Sequence, residues 1–370
     1  MTVHEPPATA QAATAGRTGA AAPRGSELLE LRGLALLHAR AQGIEDPQAR
    51  QILDRIVHPW GELPGSWGRV WNAAGDRLAA RGLHLDACRH YAVGRFPYPG
   101  DEPRTLAQHR CVASFERWRG EQQGRVGRLE VTLDGGRFAA WTAGLDAGAP
   151  RPLLVVLGGI VSVKEQWAPL LALADDLGLA IAVTELPGVG ENTLRYDLRS
   201  PRMLSALLDA LADRADVHRT AAIALSFGGH LALRCALNDP RITAVATVGA
   251  PLRQFFEDRA WQRQVPATTV GCLARAARVV PPAAFGHVRG WGLTDEELRR
   301  LRIPVHYVAS LRDEIVPLGE VALLRRSGVR GEVTVFDDVH GAPAHLDRVR
   351  GLLLGAALEA CRAPAARLTS

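Results

Sequence analysis

Beyond Gly124 the chain alternates short, almost continuously apolar runs with segments whose apolar residues recur at helical spacing. Such aliphatic runs are typical of strands buried on both faces, as in a parallel sheet covered by helices. The sequence therefore predicts an α/β fold with a mostly parallel, doubly wound sheet. A hairpin around Asp134-Gly135-Gly136 precedes the sheet. The predicted strands are PLLVVLGGI, LAIAVTEL, TAAIAL, ITAVATVGA, PVHYVASL and EVTVFDDV.

The rest of the chain divides into segments of different character. Residues 26–123 contain amphipathic helical segments and few strand signals, so we predict a helical accessory or lid domain there. Residues 1–25 are rich in alanine, threonine, proline and glycine, and we expect a disordered tail. The catalytic domain is then predicted at 124–365. Its long connection at about 252–301 has helical stretches, which suits a cap over the sheet edge.

Composition excludes several classes of protein. The net charge of +5 comes from arginines scattered along the chain, without the basic block that a nucleic-acid surface requires. The five cysteines have no close spacing, which fits neither a disulfide framework nor a zinc site. No secretory signal or membrane-spanning run is visible. We expect a cytoplasmic protein that binds a small molecule but no nucleic acid, membrane, metal or cofactor; whether it forms a homodimer stays open.

A candidate nucleophile lies in IALSFGGHLAL, where an apolar strand stops at Ser226 and a helical pattern begins. A strand that enters a helix through a very tight turn needs small residues two positions before and after the turn residue, and Ala224 and Gly228 meet that need. This is the nucleophile elbow G-x-S-x-G with alanine in the first glycine position. The alternative is a buried strand-to-helix turn with a serine that has no chemical role.

We expect the base and the acid in the loops that directly follow later strands, because ligands bind at the carboxyl ends of the strands in such sheets. Asp313 and Glu314 follow PVHYVASL, and Asp313 comes first in the turn. His340 directly follows the last predicted strand, with His345 as the second choice. His230 lies one turn into the predicted helix after the elbow and is therefore less suited to face the serine oxygen.

Two backbone N–H groups should complete the site by holding an oxyanion. One belongs to Phe227, directly after the nucleophile. The other is expected in the loop GGIVSVKEQW, where Gly158 and Gly159 let the backbone approach a ligand and Ile160 or a neighbour donates. Alternatively, the two glycines merely permit a turn.

Together these motifs resemble one branch of the α/β hydrolases: the family of 2,6-dihydropseudooxynicotine hydrolase and the fungal polyketide-shortening hydrolases, with FrsA-like esterases as relatives. The resemblance runs from about Tyr91 to the last helix. It rests on GGIVSVKEQW, ELPGVGE, SFGGHLAL, RDEIVP and DDVHG. It implies the α/β-hydrolase fold, a helical N-terminal domain beside the substrate cleft, and a triad of Ser226, Asp313 and His340.

The resemblance also bears on supporting residues. Lys164 is the only lysine in the sequence. Beside Glu165, it suggests a structural ion pair that braces the oxyanion loop and needs a compact ammonium group. Family members that cut carbon–carbon bonds carry an extra acid after the sixth strand, so Glu257 or Asp258 is expected to protonate a leaving carbanion or to steer water. Val161 departs from the family by replacing a polar residue of the loop.

We therefore predict a serine hydrolase that cleaves an ester, a thioester or the carbon–carbon bond of a β-dicarbonyl compound. The family implies an aromatic or polyketide-like substrate, and specialised metabolism is the expected setting. Two alternatives stay open. The same acyl-enzyme could pass its acyl group to an amine or alcohol, as an acyltransferase or cyclase does. A non-catalytic binding protein on the same fold is the other, because fold alone does not establish function.

Overall fold

A single eight-stranded sheet organises the protein, for which a computed structural model describes residues 24–363. Its strands occupy the runs that the apolar pattern predicts, and the side chains of the central strands are buried on both faces. The strands are β1 Val126–Leu133, β2 Gly136–Ala143, β3 Pro152–Leu157, β4 Ala180–Thr184, β5 Asp216–Ala224, β6 Ile242–Val248, β7 Val305–Ser310 and β8 Val333–Phe336.

The strand order is β1-β2-β4-β3-β5-β6-β7-β8. Strands β1 and β2 form the predicted antiparallel hairpin, and β2 joins the sheet antiparallel to β4. From β4 to β8 every neighbouring pair is parallel. The carboxyl ends of these six strands therefore lie at one edge, where the loops that carry the predicted site residues begin.

From residue 24 onward, where the described part of the chain begins, five helices precede the sheet. Helices α3, α4 and α5 pack against one another, and α1 contacts α2 and α4. One hydrophobic cluster lies within this helical region, around Trp67 and Trp71, whereas Cys111 and Phe115 of the last helix belong to the main core beneath the sheet. The helices are α1 Arg24–Ala41, α2 Asp46–Leu53, α3 Trp67–Ala79, α4 His84–Gly94 and α5 Glu102–Glu121.

The remaining helices flank the sheet or lie in its connections. The segment between β6 and β7 is built from five short helices and occupies the predicted cap region. The long C-terminal helix packs against β3, β5 and β6. In chain order they are α6 Ala168–Leu171, α7 Ala174–Leu177, α8 Arg202–Leu211, α9 Phe227–Ala236, α10 Gln254–Glu257, α11 Arg259–Gln262, α12 Ala267–Ala276, α13 Ala284–His287, α14 Asp295–Arg300, α15 Gly319–Ser327 and α16 Leu346–Arg362.

The predicted fold class is confirmed: a mostly parallel sheet, flanking helices and a helical N-terminal region are all present. The predicted tail, residues 1–25, falls mainly on residues outside the described range, and its last two residues already belong to α1. The division into separate domains stays a prediction. None of the helices between residues 24 and 363 combines the length and apolar character that crossing a bilayer requires.

Candidate active site

The turn between β5 and α9 presents Ser226 at the carboxyl edge of the sheet. Its φ of 52° and ψ of −124° are strained for a residue with a side chain, as expected of a nucleophile elbow. The Ser226 N–H donates to Val248 O at 2.9 Å, which ties the turn to β6. A Cβ on Gly228 would lie 2.6 Å from the Gly158 carbonyl oxygen, so the turn accepts no larger residue there.

His340 and Asp313 meet this serine from the loops after β8 and β7. The Ser226 Oγ and the His340 Nε2 are 3.1 Å apart, and the His340 Nδ1 lies 2.8 Å from Oδ2 of Asp313. The Asp313 side chain is 4% exposed and that of His340 16% exposed. The structure thus brings the three predicted residues into one hydrogen-bonded chain, although Ser226 and His340 are 114 residues apart in sequence.

Backbone donors hold the carboxylate in place. Oδ1 of Asp313 accepts the N–H groups of Ile315 and Val316 at 2.9 and 2.8 Å. Glu314, the rejected alternative for the acid, accepts the N–H of His340 at 3.0 Å and so anchors the histidine loop. Burial by itself lowers the pKa of His340, but the charges of Asp313 and Glu314 outweigh burial and raise that pKa above its ordinary value. The imidazole is therefore a stronger base than a free histidine.

The loop after β3 approaches the serine closely. A Cβ on Gly159 would lie 3.1 Å from Cβ of Ser226. Residues 159–162 form a turn in which the N–H of Ser162 donates to the carbonyl of Gly159 at 3.1 Å. The N–H of Ile160 takes no part in this hydrogen bond. Phe227 is the first residue of α9, so its N–H has no acceptor within the helix. Both predicted donors lie in backbone beside the serine.

A buried ionic cluster supports the far end of this loop. Nζ of Lys164 lies 2.8 Å from Glu165, 3.2 Å from Glu185 and 2.6 Å from Glu191. The side chains of Lys164, Glu165 and Glu185 are fully buried, whereas that of Glu191 is partly exposed. Glu185 also accepts the N–H groups of Lys164 and Glu191. The ion pair predicted from Lys164 and Glu165 is present, and the motif ELPGVGE supplies two further carboxylates that the sequence analysis did not assign to it. Burial lowers the pKa of Lys164, but the three carboxylates together raise it.

A cavity of about 580 Å³ opens over Ser226 and His340. This size is typical of small-molecule sites. Helix α1, the oxyanion loop, α6 and the C-terminal helix all contribute to the wall, and Thr268 and Thr269 come from the cap segment. The apolar lining includes Leu34, Leu37, Phe96, Trp167, Leu170 and Leu353.

Several residues considered from the sequence lie elsewhere. Glu257 is exposed and is not among the cavity-lining residues, and Asp258 caps α11 by accepting the N–H of Ala260. The role of an extra acid predicted for this pair finds no support in the geometry, because both residues are exposed and neither lines the cavity. His345 stacks on Phe336 with ring centroids 4.5 Å apart. His230 contacts the carbonyl of Trp291 at 2.9 Å.

Two residues of the site region, His38 and Arg95, could not be predicted from the sequence. His38 of α1 lines the cavity, and burial, followed by the charges of Arg95 and His340, lowers its pKa to about 4. Arg95 lies behind the oxyanion loop and donates to the carbonyl of Val161 at 2.6 Å. No sequence signal marks either residue, because both come from the helical region and reach the site only through tertiary packing. Within residues 24–363 no cluster of three or more His, Cys, Asp or Glu is placed to hold a metal ion.

Comparison with known proteins decides the family. The family described as esterase FrsA-like matches residues 57–297, which is more than half of the chain. The chain belongs to the FrsA-like esterase family. Among solved structures, the chain is similar to AbyA5, with which it shares 46% sequence identity. The two structures superpose with a TM-score of 0.86 over 90% of this chain and 94% of AbyA5. The resemblance inferred from the motifs is confirmed.

Curated relatives of this FrsA-like protein include hydrolases. The 2,6-dihydropseudooxynicotine hydrolase of Paenarthrobacter nicotinovorans is 27% identical over 255 residues, 67% of each protein. Esterase FrsA of Escherichia coli strain K12 is 25% identical over 225 residues, 59% of this chain but only 54% of FrsA. The chain thus spans about half the length of FrsA.

Solved structures agree on the fold. The 2,6-dihydroxy-pseudo-oxynicotine hydrolase superposes with a TM-score of 0.62 at 21% identity, over 89% of this chain and 96% of that one. At that identity the likeness establishes the fold alone. Together with the family match and the named relatives, it makes this protein an enzyme of the α/β-hydrolase type.

Proposed function

We propose that this protein is a serine hydrolase in which Ser226 is the nucleophile, His340 the general base and Asp313 the acid that orients the histidine. The observation that carries the proposal is the hydrogen-bonded chain from Ser226 through His340 to Asp313 beside a cavity of ligand size. A serine is a weak nucleophile until a neighbouring base takes its proton. The raised pKa of His340 suits it to that task.

The reaction would run in two halves. Oγ of Ser226 attacks a substrate carbonyl carbon while Nε2 of His340 takes the hydroxyl proton, and the N–H groups of Phe227 and Ile160 hold the resulting oxyanion. Collapse of the tetrahedral intermediate breaks the bond to the leaving group, which receives the proton from His340. Water then attacks the acyl-enzyme by the same route and releases the acid. Asp313 stabilises the imidazolium in both halves.

The leaving group defines the substrate class. An ester or thioester releases an alkoxide or a thiolate, and a β-dicarbonyl compound releases an enolate carbon; each can take the proton held by His340. Because neither Glu257 nor Asp258 lines the cavity, His340 is the proton donor for carbon–carbon cleavage as well. The aliphatic and aromatic wall favours a largely apolar acyl compound. An aromatic or polyketide-like metabolite of specialised metabolism fits this description.

The cellular setting belongs to the same proposal. All five cysteines are free and buried, and the sulfur atoms of Cys88 and Cys111 lie 3.6 Å apart without forming a disulfide. Such thiols persist in a reducing compartment. We therefore place the enzyme in the cytoplasm, acting on a small molecule.

Labelling with a fluorophosphonate probe tests the nucleophile. Intact mass spectrometry should find one adduct on the wild type, none on Ser226→Ala and slower labelling of His340→Ala. Ser205→Ala is a matched control that should label normally, because Ser205 lies on α8 and is not among the cavity-lining residues. A folded wild type that stays unlabelled would contradict the proposal and favour a binding protein.

Product analysis then separates hydrolysis from acyl transfer. Labelled protein justifies a panel of 4-nitrophenyl esters, thioesters and β-diketones, each assayed with and without added amines and alcohols. Free acid as the main product in every case supports a hydrolase. Acceptor-dependent products, with little free acid, would instead identify an acyltransferase or cyclase.

A further inference from the structure

Arg95 is a buried cation that has no salt-bridge partner in the described part of the chain. It follows α4 directly, and the residue is 2% exposed. One guanidinium nitrogen donates to the carbonyl of Val161 at 2.6 Å, while Nε is buried with no hydrogen-bond partner among the described residues. Within residues 24–363 it makes no salt bridge. Arg104, which is equally buried, instead has Asp101 at 2.8 Å.

This arrangement is costly for stability. Burying a charge costs several kcal/mol unless a partner compensates it. Burial lowers the pKa of Arg95, although the nearby carboxylates Glu185 and Glu165 act in the opposite direction without forming a salt bridge to it. A buried arginine whose side-chain hydrogen bond goes to a loop carbonyl, with no salt bridge, therefore suggests a role beyond folding.

The carbonyl that Arg95 holds belongs to the oxyanion loop. Val161 follows Ile160 in the turn of residues 159–162, and its side chain packs against both the main core and the cluster within the helical region. Helix α4 also contacts the short 3₁₀ helix Lys164–Trp167 that ends this loop. The helical region thus contacts the loop by packing and by the Arg95 hydrogen bond.

The charge of Arg95 is also felt at the cavity wall. His38 lines the cavity, and its pKa is lowered to about 4 by burial first and then by the charge of Arg95. Arg95 itself is not among the cavity-lining residues. Its influence on a bound substrate would therefore pass through the loop and through its electrostatic field.

We propose that Arg95 is a positioning residue of the hydrolase: it holds the Val161 carbonyl so that the N–H of Ile160 points at the oxyanion, and it places a positive charge behind that oxyanion. This inference rests on the proposed function. Preorganised donors and charges at an oxyanion act on the transition state and leave substrate binding little changed. The helical region is then part of the catalytic apparatus and does more than cover the cleft.

Replacement of Arg95 should therefore separate kcat from KM. Arg95→Met removes the hydrogen bond and the charge, and we expect kcat on 4-nitrophenyl butyrate to fall about 10–100-fold while KM stays within about threefold. The inhibition constant of phenylboronic acid, which forms a tetrahedral adduct with an active serine, should rise in parallel with the loss in kcat. Arg95→Lys keeps the charge and should recover part of the activity.

Arg32→Met is the matched control. Arg32 of α1 also donates to backbone carbonyls, those of Leu53 and Ile56, and also has a buried Nε without a partner among the described residues. It contacts no residue of the oxyanion loop through these bonds. Its loss should lower the melting temperature but leave kcat per active site unchanged.

Fluorophosphonate titration gives the concentration of active sites, so that a smaller folded fraction is not mistaken for slower chemistry. If Arg95→Met matches Arg32→Met in kcat per site and in boronate inhibition, the inference is wrong while the serine hydrolase stands. If Arg95→Met does not fold, Arg95→Lys decides: wild-type kcat and boronate inhibition in that variant would overturn positioning by the guanidinium. A wild type without labelling or esterase activity overturns the proposed function instead.

Discussion

Replacing Lys164 with methionine tests whether the buried cluster at the oxyanion loop is held by charge. The substitution keeps an unbranched, nearly as long side chain but removes the ammonium that lies between Glu165, Glu185 and Glu191. Glu191 keeps a second partner in Arg128, at 3.1 Å. The two fully buried carboxylates would be left without their cation.

Breaking a buried ion pair by removing one partner costs about 3–5 kcal/mol, because the remaining charge is uncompensated. With an unfolding entropy of about 2.1 cal/mol/K per residue, a chain of this length loses about 4–6 °C in melting temperature for that cost. Burial already raises the pKa of Glu185, and loss of Lys164 would raise it further. A carboxyl whose pKa is raised by folding contributes stability at low pH and loses it as pH rises through that pKa. The defect should therefore be larger at pH 8 than at pH 5.5.

Differential scanning fluorimetry at the two pH values measures the effect, with Arg312→Met as the control. Arg312 pairs with Asp337 at 2.7 Å, but both side chains are mostly exposed, so we expect a loss of at most about 1 kcal/mol. Adding Glu185→Gln to Lys164→Met should recover part of the melting temperature. A Lys164→Met protein that melts within 1 °C of the wild type at pH 8 would refute the argument, as would a larger defect at the acidic pH.

Four further changes probe the site. Asp313→Asn should lower kcat by about 10⁴-fold. Because Asp313 raises the pKa of His340 against the lowering effect of burial, the acid limb of the pH profile of kcat/KM should also move to lower pH. An acid limb at the wild-type position would contradict this. Gly228→Ala should cost about 1–3 kcal/mol in urea unfolding because a Cβ would press on a backbone carbonyl; wild-type stability would show that the turn has room. Lys164→Arg should lower kcat about tenfold or more with unchanged circular dichroism, and wild-type kinetics would remove the need for a compact ammonium. Glu257→Gln should leave kcat within about twofold, whereas a tenfold loss on a β-diketone would restore its role as an acid.

The helical region has the least predictable part in the site. From the sequence it is a set of amphipathic helices. Nothing in that pattern shows whether these helices only cover the cleft or also pack against the loop after β3. The structure puts Phe96 and His38 in the cavity wall and Arg95 behind the oxyanion loop. Residues that reach a site only by contact between distant segments of the chain carry no periodicity or motif of their own.

Much of the fold follows from the order of the chain. Continuous apolar runs separated by helices leave few alternatives to a parallel sheet. In such a sheet the residues just after the strands must gather at one edge, so Ser226, Asp313 and His340 could be chosen before any distance was known. Their roles as a triad stay a prediction. The role of Glu257, which rests on the family resemblance, is not evident from the sequence in this way: the residue lies nine positions beyond β6, on α10, and is not among the cavity-lining residues.

By itself, then, the sequence determined the fold class, the family and the residues of the hydrogen-bonded chain, because local patterns and spacing record strands, turns and catalytic motifs. Only the tertiary structure decided which side chains surround them. The three carboxylates around Lys164, the burial of Arg95 behind the loop after β3 and the cavity wall depend on contacts between segments far apart in the chain. Burial and electrostatic compensation are properties of such contacts, and no local pattern in one sequence records them.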